Sequence, residues 1–576
     1  MTSNYWQNYW RKQRLSRRRL LGTASAAGVG VAGISLVGCG NDDDDTNGAA
    51  PGNGDDANGA NGENGDFEEN ATLRATIASD VGDLDPQSVS GTGGGNWPNY
   101  ETHFSPALTI HPETNEIVGF AADWEWTDDT ELTFTTREGI EFTNGEPFNA
   151  EVLAFNIERT LGRADYNPDY QSGHASNFAS IDQLEVTDER TLRATLNSID
   201  VALPFQFATL FGMPIVPMNY IIENGDQEFS SNPVGLGPFE FVSHSADTEI
   251  VSRRFDNFFQ GRDAELGPRL PYIQELVQRV MPEAGASLSA LETGEVDVVS
   301  NVPADLAEAW EGRSGFQVHY LAGEQPMHIH FNTMVDSDAT GSDGENPWRD
   351  RRVREAANLA VDLDTIIDTI LTGREQKSFG TTQRAFGFPE ELRDNAWGYD
   401  PDRARELLAE AGYEDGFDTL FTGPSERWPN TRPVMEAVAS YLAEVGIRSD
   451  IQISQYSTWI SEVQSQELPG MWFMGLASGA DPAANFLFGY HSEGAYCSSY
   501  DPESGLDELI EESLETVDVD ERNALNAEII RTHYENASWL YLYEPVSVAV
   551  ATDRMVWDPY WPVLDRPEYW NVRMRA

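Results

Sequence analysis

From about Thr72 onward, two kinds of hydrophobic pattern alternate along the chain. Short runs such as Leu132-Thr133-Phe134-Thr135 place apolar side chains at every second position, the period of a strand with one buried face. Other stretches repeat every three to four residues. In DPDRARELLAEAGY, Asp400 is placed to cap a helix, Pro401 sits at its first position and Gly412 falls at its stop. Ala404, Leu407, Leu408 and Ala411 then form one apolar face. Near Asn144-Gly145 a strand turns and a helix starts at Phe148-Asn149-Ala150. Strands interleaved with amphipathic helices predict an α/β or mixed α+β body with mixed sheets, in two or three domains. No internal repeat is visible, which argues against a surface-layer structural protein.

The first 70 residues break this alternation. A basic stretch, RKQRLSRRR, precedes a weakly apolar run from about Leu20 to Gly38, and small residues lead to Cys39. That order is the order of an export signal. Ser16-Arg17-Arg18-Arg19-Leu20-Leu21 resembles a twin-arginine signal, and Leu36-Val37-Gly38-Cys39 resembles a lipoprotein cleavage box. On this reading residues 1-39 are the signal and Cys39 becomes a lipidated N-terminus. A single transmembrane helix is the alternative, since the uncharged run has almost the required length. Residues 40-70 are Asp, Asn, Gly and Ala with almost no large apolar side chain, so they predict a disordered acidic tether with a reach of about 30 Å. Asn70-Ala71-Thr72 and Asn536-Ala537-Ser538 match the N-glycosylation acceptor pattern.

Composition narrows the function classes. The chain carries 96 acidic and 37 basic residues, a net charge of -59, and its only lysines are Lys12 and Lys377. A nucleic-acid reader needs a basic footprint, and this chain has none. An acid excess of this size suits a protein working in concentrated salt, where about 1 M shrinks the Debye length to roughly 3 Å. Nearby carboxylates are then surface solvation, and a pair of them says little about catalysis. The only cysteines are Cys39 and Cys497, so with Cys39 lipidated no intramolecular disulfide can form and Cys497 reads as a packed small residue.

No GxxxxGK[ST], HExxH, GxSxG or CxxC motif is present. His328 and His330 alternate in HIHF, a pair without a third ligand and therefore a weak metal site. Several aromatic residues stand in polar or glycine-rich company: Trp97 and Tyr100 in NWPNYE, Trp428 beside Arg427 in ERWPN, Trp472 in GMWFMG, and Tyr490. Loop aromatics of this kind suit the walls of a cleft for an organic solute.

EGIEFTNGEPFNAEVLAFNIERTL from Glu138, the turn PVGLGPF from Pro233, LETGEVDV from Leu291, Phe331-Asn332-Thr333 and DRRVREA from Asp350 occur in order. With Tyr399 to Tyr413 and LAEVGI from Leu442, they resemble the motif series of family 5 extracellular solute-binding proteins of ABC importers, from about Thr72 to Thr552. The resemblance implies a monomeric receptor without catalytic activity or cofactor, held outside the cell membrane, that hands peptides or similar small solutes to a permease and its ATPase subunits. The alternative from another class is a secreted hydrolase using paired carboxylates. It also implies a two-lobed periplasmic-binding-protein-like fold: lobe 1 from 71-330 plus 545-576, with a subdomain inserted at about 105-232, and lobe 2 from 331-544. Hinges are expected near His328-Thr333 and Tyr541-Val550. Relatives that bind free dipeptides hold the ammonium on an acid shortly before an Asp-Pro pair. Here Ser478 stands in that place before Asp481-Pro482, which predicts poor dipeptide binding unless Asp481 substitutes.

The anchor has a direct test. Cys39→Ser is expected to release the protein from membranes into the medium on cell fractionation, and a variant that stays firmly attached means a transmembrane anchor instead.

Overall fold

The computed structural model describes residues 67–576 except 69, 89–96, 112–113, 115, 211, 260–270, 323–324, 395, 426, 477–478 and 558–568. The expected signal, Cys39 and the tether as far as residue 66 lie outside the described residues, as does Ser478.

The first strand, Thr72–Ile77, forms the centre of a seven-stranded sheet. It pairs in parallel with Glu275–Val280 on one side and Val298–Val299 on the other. Val546–Thr552, Phe316–Ala322, Glu249–Arg254 and Phe239–Ser245 extend the sheet by antiparallel pairing. Both faces of this sheet are covered, and the two-residue period shows it: Ala549 and Ala551 pack on one face with Leu73, Ala75 and Val298, while Val548 and Val550 pack on the other with Leu291, Val296 and Trp310.

Between the first strand and its parallel partner the chain inserts a four-stranded antiparallel sheet, in the order Ala122–Asp128, Glu131–Thr136, Thr191–Leu196, Ile181–Val186. The helix Ala150–Thr160 closes it. Asn149 caps that helix by accepting the Val152 N–H at 3.0 Å, and Val152, Leu153 and Ile157 meet Leu132, Phe134, Leu192 and Ala194 in one core.

A second large sheet runs Ile447–Gln455, Phe417–Ser425, Met471–Gly475, Met327–Phe331, Trp539–Tyr541. Its helices include Pro401–Glu410, capped by Asp400 through the Arg403 N–H at 2.9 Å and ended by Gly412 at φ +92°, with Ala404, Leu407 and Leu408 buried and Ala411 half-buried. The chain passes from the first large sheet to the second between Ala322 and Met327, and returns between Tyr541 and Val546. The stretch His328 to Phe331, near which a hinge is expected, is an interior strand with every residue buried. The crossing precedes it because a strand bonded on both edges, to Met471–Gly475 and to Trp539–Tyr541, has no free hydrogen-bonding groups with which to bend.

One buried cation ties the insertion to the first sheet. Arg159, at the end of the helix Ala150–Thr160, is fully buried. Its guanidinium reaches Asp85 at 2.5 and 3.2 Å, Gln87 at 2.7 Å, Asp226 at 2.7 Å and the Tyr166 hydroxyl at 2.7 Å, and it lies 3.8 Å from the centre of the Tyr170 ring. Asp85 follows the first strand and Asp226 opens a helix beyond the insertion, so three separate stretches converge on one charge. Removing that charge leaves Asp85 buried with the Tyr170 hydroxyl and the Gln87 N–H but no counter-charge, at a cost of about 3–5 kcal/mol. Arg159→Leu is therefore expected to lower the unfolding free energy from denaturant titration by that amount at constant high salt, and a change under about 1 kcal/mol would show the network to be dispensable.

Candidate functional site

The inserted sheet faces the stretch from Gln383 to Arg393, the start of the helix Val519–Glu535 and the strand Tyr543–Glu544 across a cleft of about 1270 Å³. Its first wall comes from the insertion. On strand Ala122–Asp128, Trp124 and Trp126 are two residues apart and so share a face, and both are half-buried against the core of the insertion with Ile117 beside them. Opposite stand Phe386, Phe388, Gln383, Arg384 and Arg393, the N-terminal turn of the helix Val519–Glu535, and Glu544. Apolar walls with a few fixed polar groups are the architecture of a solute site.

The polar floor is built by a short ladder. Glu544 belongs to strand Tyr543–Glu544, which pairs with Gln376–Lys377 within the crossing back from the second sheet. This placement buries its side chain, and one oxygen accepts the Gln383 backbone N–H at 3.1 Å. Burial pushes the Glu544 carboxyl up to about 7, against the Gln383 N–H and the Arg384 and Arg393 guanidiniums, which pull it down. Arg393 holds the Gln383 carbonyl at 2.8 Å and side-chain oxygen at 2.9 Å, and pairs with Glu390. Burial pulls Arg384 down to about 9, which leaves it charged at neutral pH.

At one end the cleft is closed by contacts between its walls. Arg522 of the helix Val519–Glu535 donates to both oxygens of Asp481 at 2.7 Å and to the Val201 carbonyl of the insertion at 3.2 Å. Beside them Ala480 packs into the core of the insertion, and Phe386 meets Phe205 edge-on at 6.4 Å. Burial raises the neighbouring Asp200 carboxyl and Asp481 adds to the effect, opposed by Ser180, the Ala202 N–H and Arg522.

The residues expected from sequence lie elsewhere. Trp97 opens the helix Trp97–His103, with its side chain outside the described residues. Tyr100 is buried in the first lobe against Phe104 and donates to the Asp83 carbonyl at 3.2 Å. Trp428 is buried, its indole N–H on Gln325 at 2.8 Å and its ring edge-on to Trp459, and Arg427 is exposed with its guanidinium 5.6 Å from the Trp428 ring. Trp472 and Tyr490 are core residues of the second lobe. Asp481 is buried, accepts the Ala483 N–H at 3.0 Å and pairs with Arg522. The substitution of Asp481 for the missing acid therefore competes with a bond already made: the chain's own guanidinium holds both of its oxygens. Among the described residues, none of these expected positions lines the cleft.

Residues 117–496 match the family of bacterial extracellular solute-binding proteins, family 5 middle. The chain belongs to this family. Heme-binding protein A of Haemophilus influenzae is 27% identical over 507 residues, spanning 78% of this chain and 87% of that protein. Di/tripeptide-binding protein 1 of Pseudomonas aeruginosa is 26% identical over 439 residues, spanning 72% and 77%. The solved structure of HbpA2 from Haemophilus parasuis shares the fold, with a TM-score of 0.73 at 19% identity over 88% of this chain and all of that one. The mixed α/β architecture with two lobes is therefore that of an ABC-importer solute-binding protein, and such proteins act outside the cytoplasm. Among the described residues, no helix is long and apolar enough to cross a membrane and no group of three or more His, Cys, Asp or Glu is arranged to hold a metal ion.

Two cleft features of this solute-binding protein escaped the sequence reading. Trp124-Glu125-Trp126 does carry a signal, since an alternating pair of tryptophans on a strand must share a face. Glu544 carries none: one carboxylate among so many becomes distinctive only through its burial.

The placement of Trp472 and Tyr490 has a consequence for stability. Around them lie three buried histidines: Tyr490 stacks on His533 at 3.6 Å, and His330 stacks on Trp539 at 4.0 Å with His328 at 4.4 Å from the same ring. Burial lowers all three imidazoles, His330 to about 3, and the rings stay neutral in the folded state. Unfolded histidine takes up its proton near 6.5, so below that pH the unfolded chain binds protons that the native rings refuse and stability falls. Glu544, raised rather than lowered, works the other way, one group against three. The denaturant midpoint is expected to drop between pH 7.5 and 5 at fixed salt, with a smaller drop for His330→Phe. A midpoint that holds level over that range would contradict the neutral rings.

Proposed function

We propose that the chain captures peptides of several residues, or solutes of similar size, in the cleft between the inserted sheet and the second lobe, and delivers them to an ABC permease without catalysing a reaction. The observation that carries this reading is the cleft itself, walled by Trp124, Trp126, Phe386 and Phe388 and floored by Gln383, Arg384 and Glu544. Its volume of about 1270 Å³ exceeds the roughly 300–1,000 Å³ of ordinary small-ligand pockets, so a free dipeptide fills only part of it. The pairing of Asp481 with Arg522 supports the same preference, since it removes one carboxylate that a dipeptide ammonium could use.

The delivery role also accounts for the N-terminal region. A twin-arginine signal exports the folded receptor, a lipid on Cys39 holds it at the outer face of the cell membrane, and the acidic tether keeps a salt-adapted, monomeric body near its permease. Local concentration is the physical gain, because tethering replaces a diffusive encounter by an intramolecular one.

The test is calorimetry in concentrated salt with alanine peptides of two to six residues. Peptides of four or more are expected to bind with dissociation constants of about a micromolar or tighter, near -8 kcal/mol, and dialanine at least about tenfold more weakly. Equal binding across the series would remove the size argument. Mass spectrometry of ligand released from protein purified without refolding reads the natural occupant directly.

A further inference from the structure

Glu544 is the one acidic side chain of the cleft lining that combines burial with an incomplete set of partners. It is 7% exposed. Among the described residues its single hydrogen bond comes from the Gln383 N–H at 3.1 Å, to one of two oxygens, and it makes no ion pair. Arg384 and Arg393 stand near enough to favour its charge but do not contact it: Arg393 is bonded to Gln383 and Glu390. A carboxylate accepts several hydrogen bonds, and the second oxygen of Glu544, bonded to no protein donor, opens on the cleft, while the burial of the side chain as a whole makes its charge costly. The raised value of its carboxyl is a sign of that cost.

The charges around the cleft say which kind of group completes it. Its lining holds five carboxylates, Glu116, Glu390, Asp518, Asp520 and Glu544, against three guanidiniums, Arg384, Arg393 and Arg522. Arg522 is held by Asp481 and Arg393 by Glu390, so the cleft as a whole favours a cation over an anion. Asp518 caps its own helix through the Asp520 and Glu521 N–H groups, and Glu390 faces Arg393, so neither competes with Glu544 for a ligand.

Building on the reading of the cleft as a peptide site, we propose that Glu544 is the ammonium-binding residue of this receptor: its unmet oxygen accepts a charged hydrogen bond from an alkylammonium group of the solute, either a free peptide N-terminus or a lysine side chain. Such a bond is about twice as strong as a neutral one, and it completes a carboxylate that the empty protein leaves incomplete.

The experiment compares wild type and Glu544→Gln by calorimetry with three probes in concentrated salt: tetra-alanine, N-acetyl-tetra-alanine, and an N-acetylated tetrapeptide with one internal lysine. In wild type, tetra-alanine or the lysine peptide binds at least about tenfold more tightly than N-acetyl-tetra-alanine, and whichever does so identifies the source of the ammonium. In Glu544→Gln that advantage disappears, the affinities for the charged and acetylated probes falling to within about twofold of each other. Retention of the advantage in Glu544→Gln, or its absence in wild type, overturns the assignment and leaves the peptide-binding reading standing. Failure of wild type to bind any of the three probes removes both. A second readout separates binding from structure: because the substitution removes a poorly partnered buried charge, the thermal midpoint of the ligand-free variant stays level or rises, and a fall would show that Glu544 is a structural partner instead.

Discussion

The placement of the candidate site depends on a charge that water does not reach. Arg159 sits at the end of the helix that closes the inserted sheet, and its planar fork of donors is met by Asp85, Gln87, Asp226 and Tyr166. A buried guanidinium tolerates no approximate arrangement, because every donor left unmatched costs free energy. The insertion is thereby fixed in orientation against the first sheet, and with it Trp124 and Trp126, the near wall of the cleft. Other ion pairs, such as Arg448 with Asp418 or Arg403 with Glu406, are exposed to solvent, which screens them, the more so in salt. In a chain with two lysines, arginine carries nearly all of the positive charge, and its fork geometry suits it to this central position.

The far wall is positioned by a different balance. The chain crosses between its large sheets at two neighbouring places, next to strands Phe316–Ala322 and Val546–Thr552, which are themselves paired. The two crossings lie side by side, and beside them the two halves of the chain also touch through individual side chains among the described residues. Arg522 reaches the Val201 carbonyl, Phe205 meets Phe386, and on the other side Arg374 bonds Glu311 at 3.2 Å and lies over the Tyr320 ring at 4.0 Å. None of these is a large apolar interface.

Legibility in the sequence followed the range of the interaction concerned. The caps Asn149 and Asp400 and the buried face Ala404, Leu407 and Leu408 were readable because each is decided within a few residues. The order of short motifs was enough to point to the family and its two lobes. The cleft residues were not readable in the same way. Trp428, Trp472 and Tyr490 share glycine and polar neighbours with true cleft aromatics, yet each is buried, because a strand flanked on both edges or a helix folded under the sheet consumes its side chains in packing.

Local patterning by itself therefore determined the element types, the mixed α/β class, the acid-rich surface and the export-like N-terminal order, since these depend on periodicity, capping and composition. Which carboxylates meet a cation was settled only in three dimensions. Asp481 and Glu544 are each one acid among 96, and although Pro482 marks Asp481, nothing adjacent in sequence says what either carboxylate meets. Folding brings Arg522 from 41 residues away onto Asp481, and brings Gln383 from 161 residues away onto one oxygen of Glu544 while the other is left unmet. Sequence spacing carries no record of such distant encounters, because the meeting of two side chains depends on how the sheets and helices between them pack.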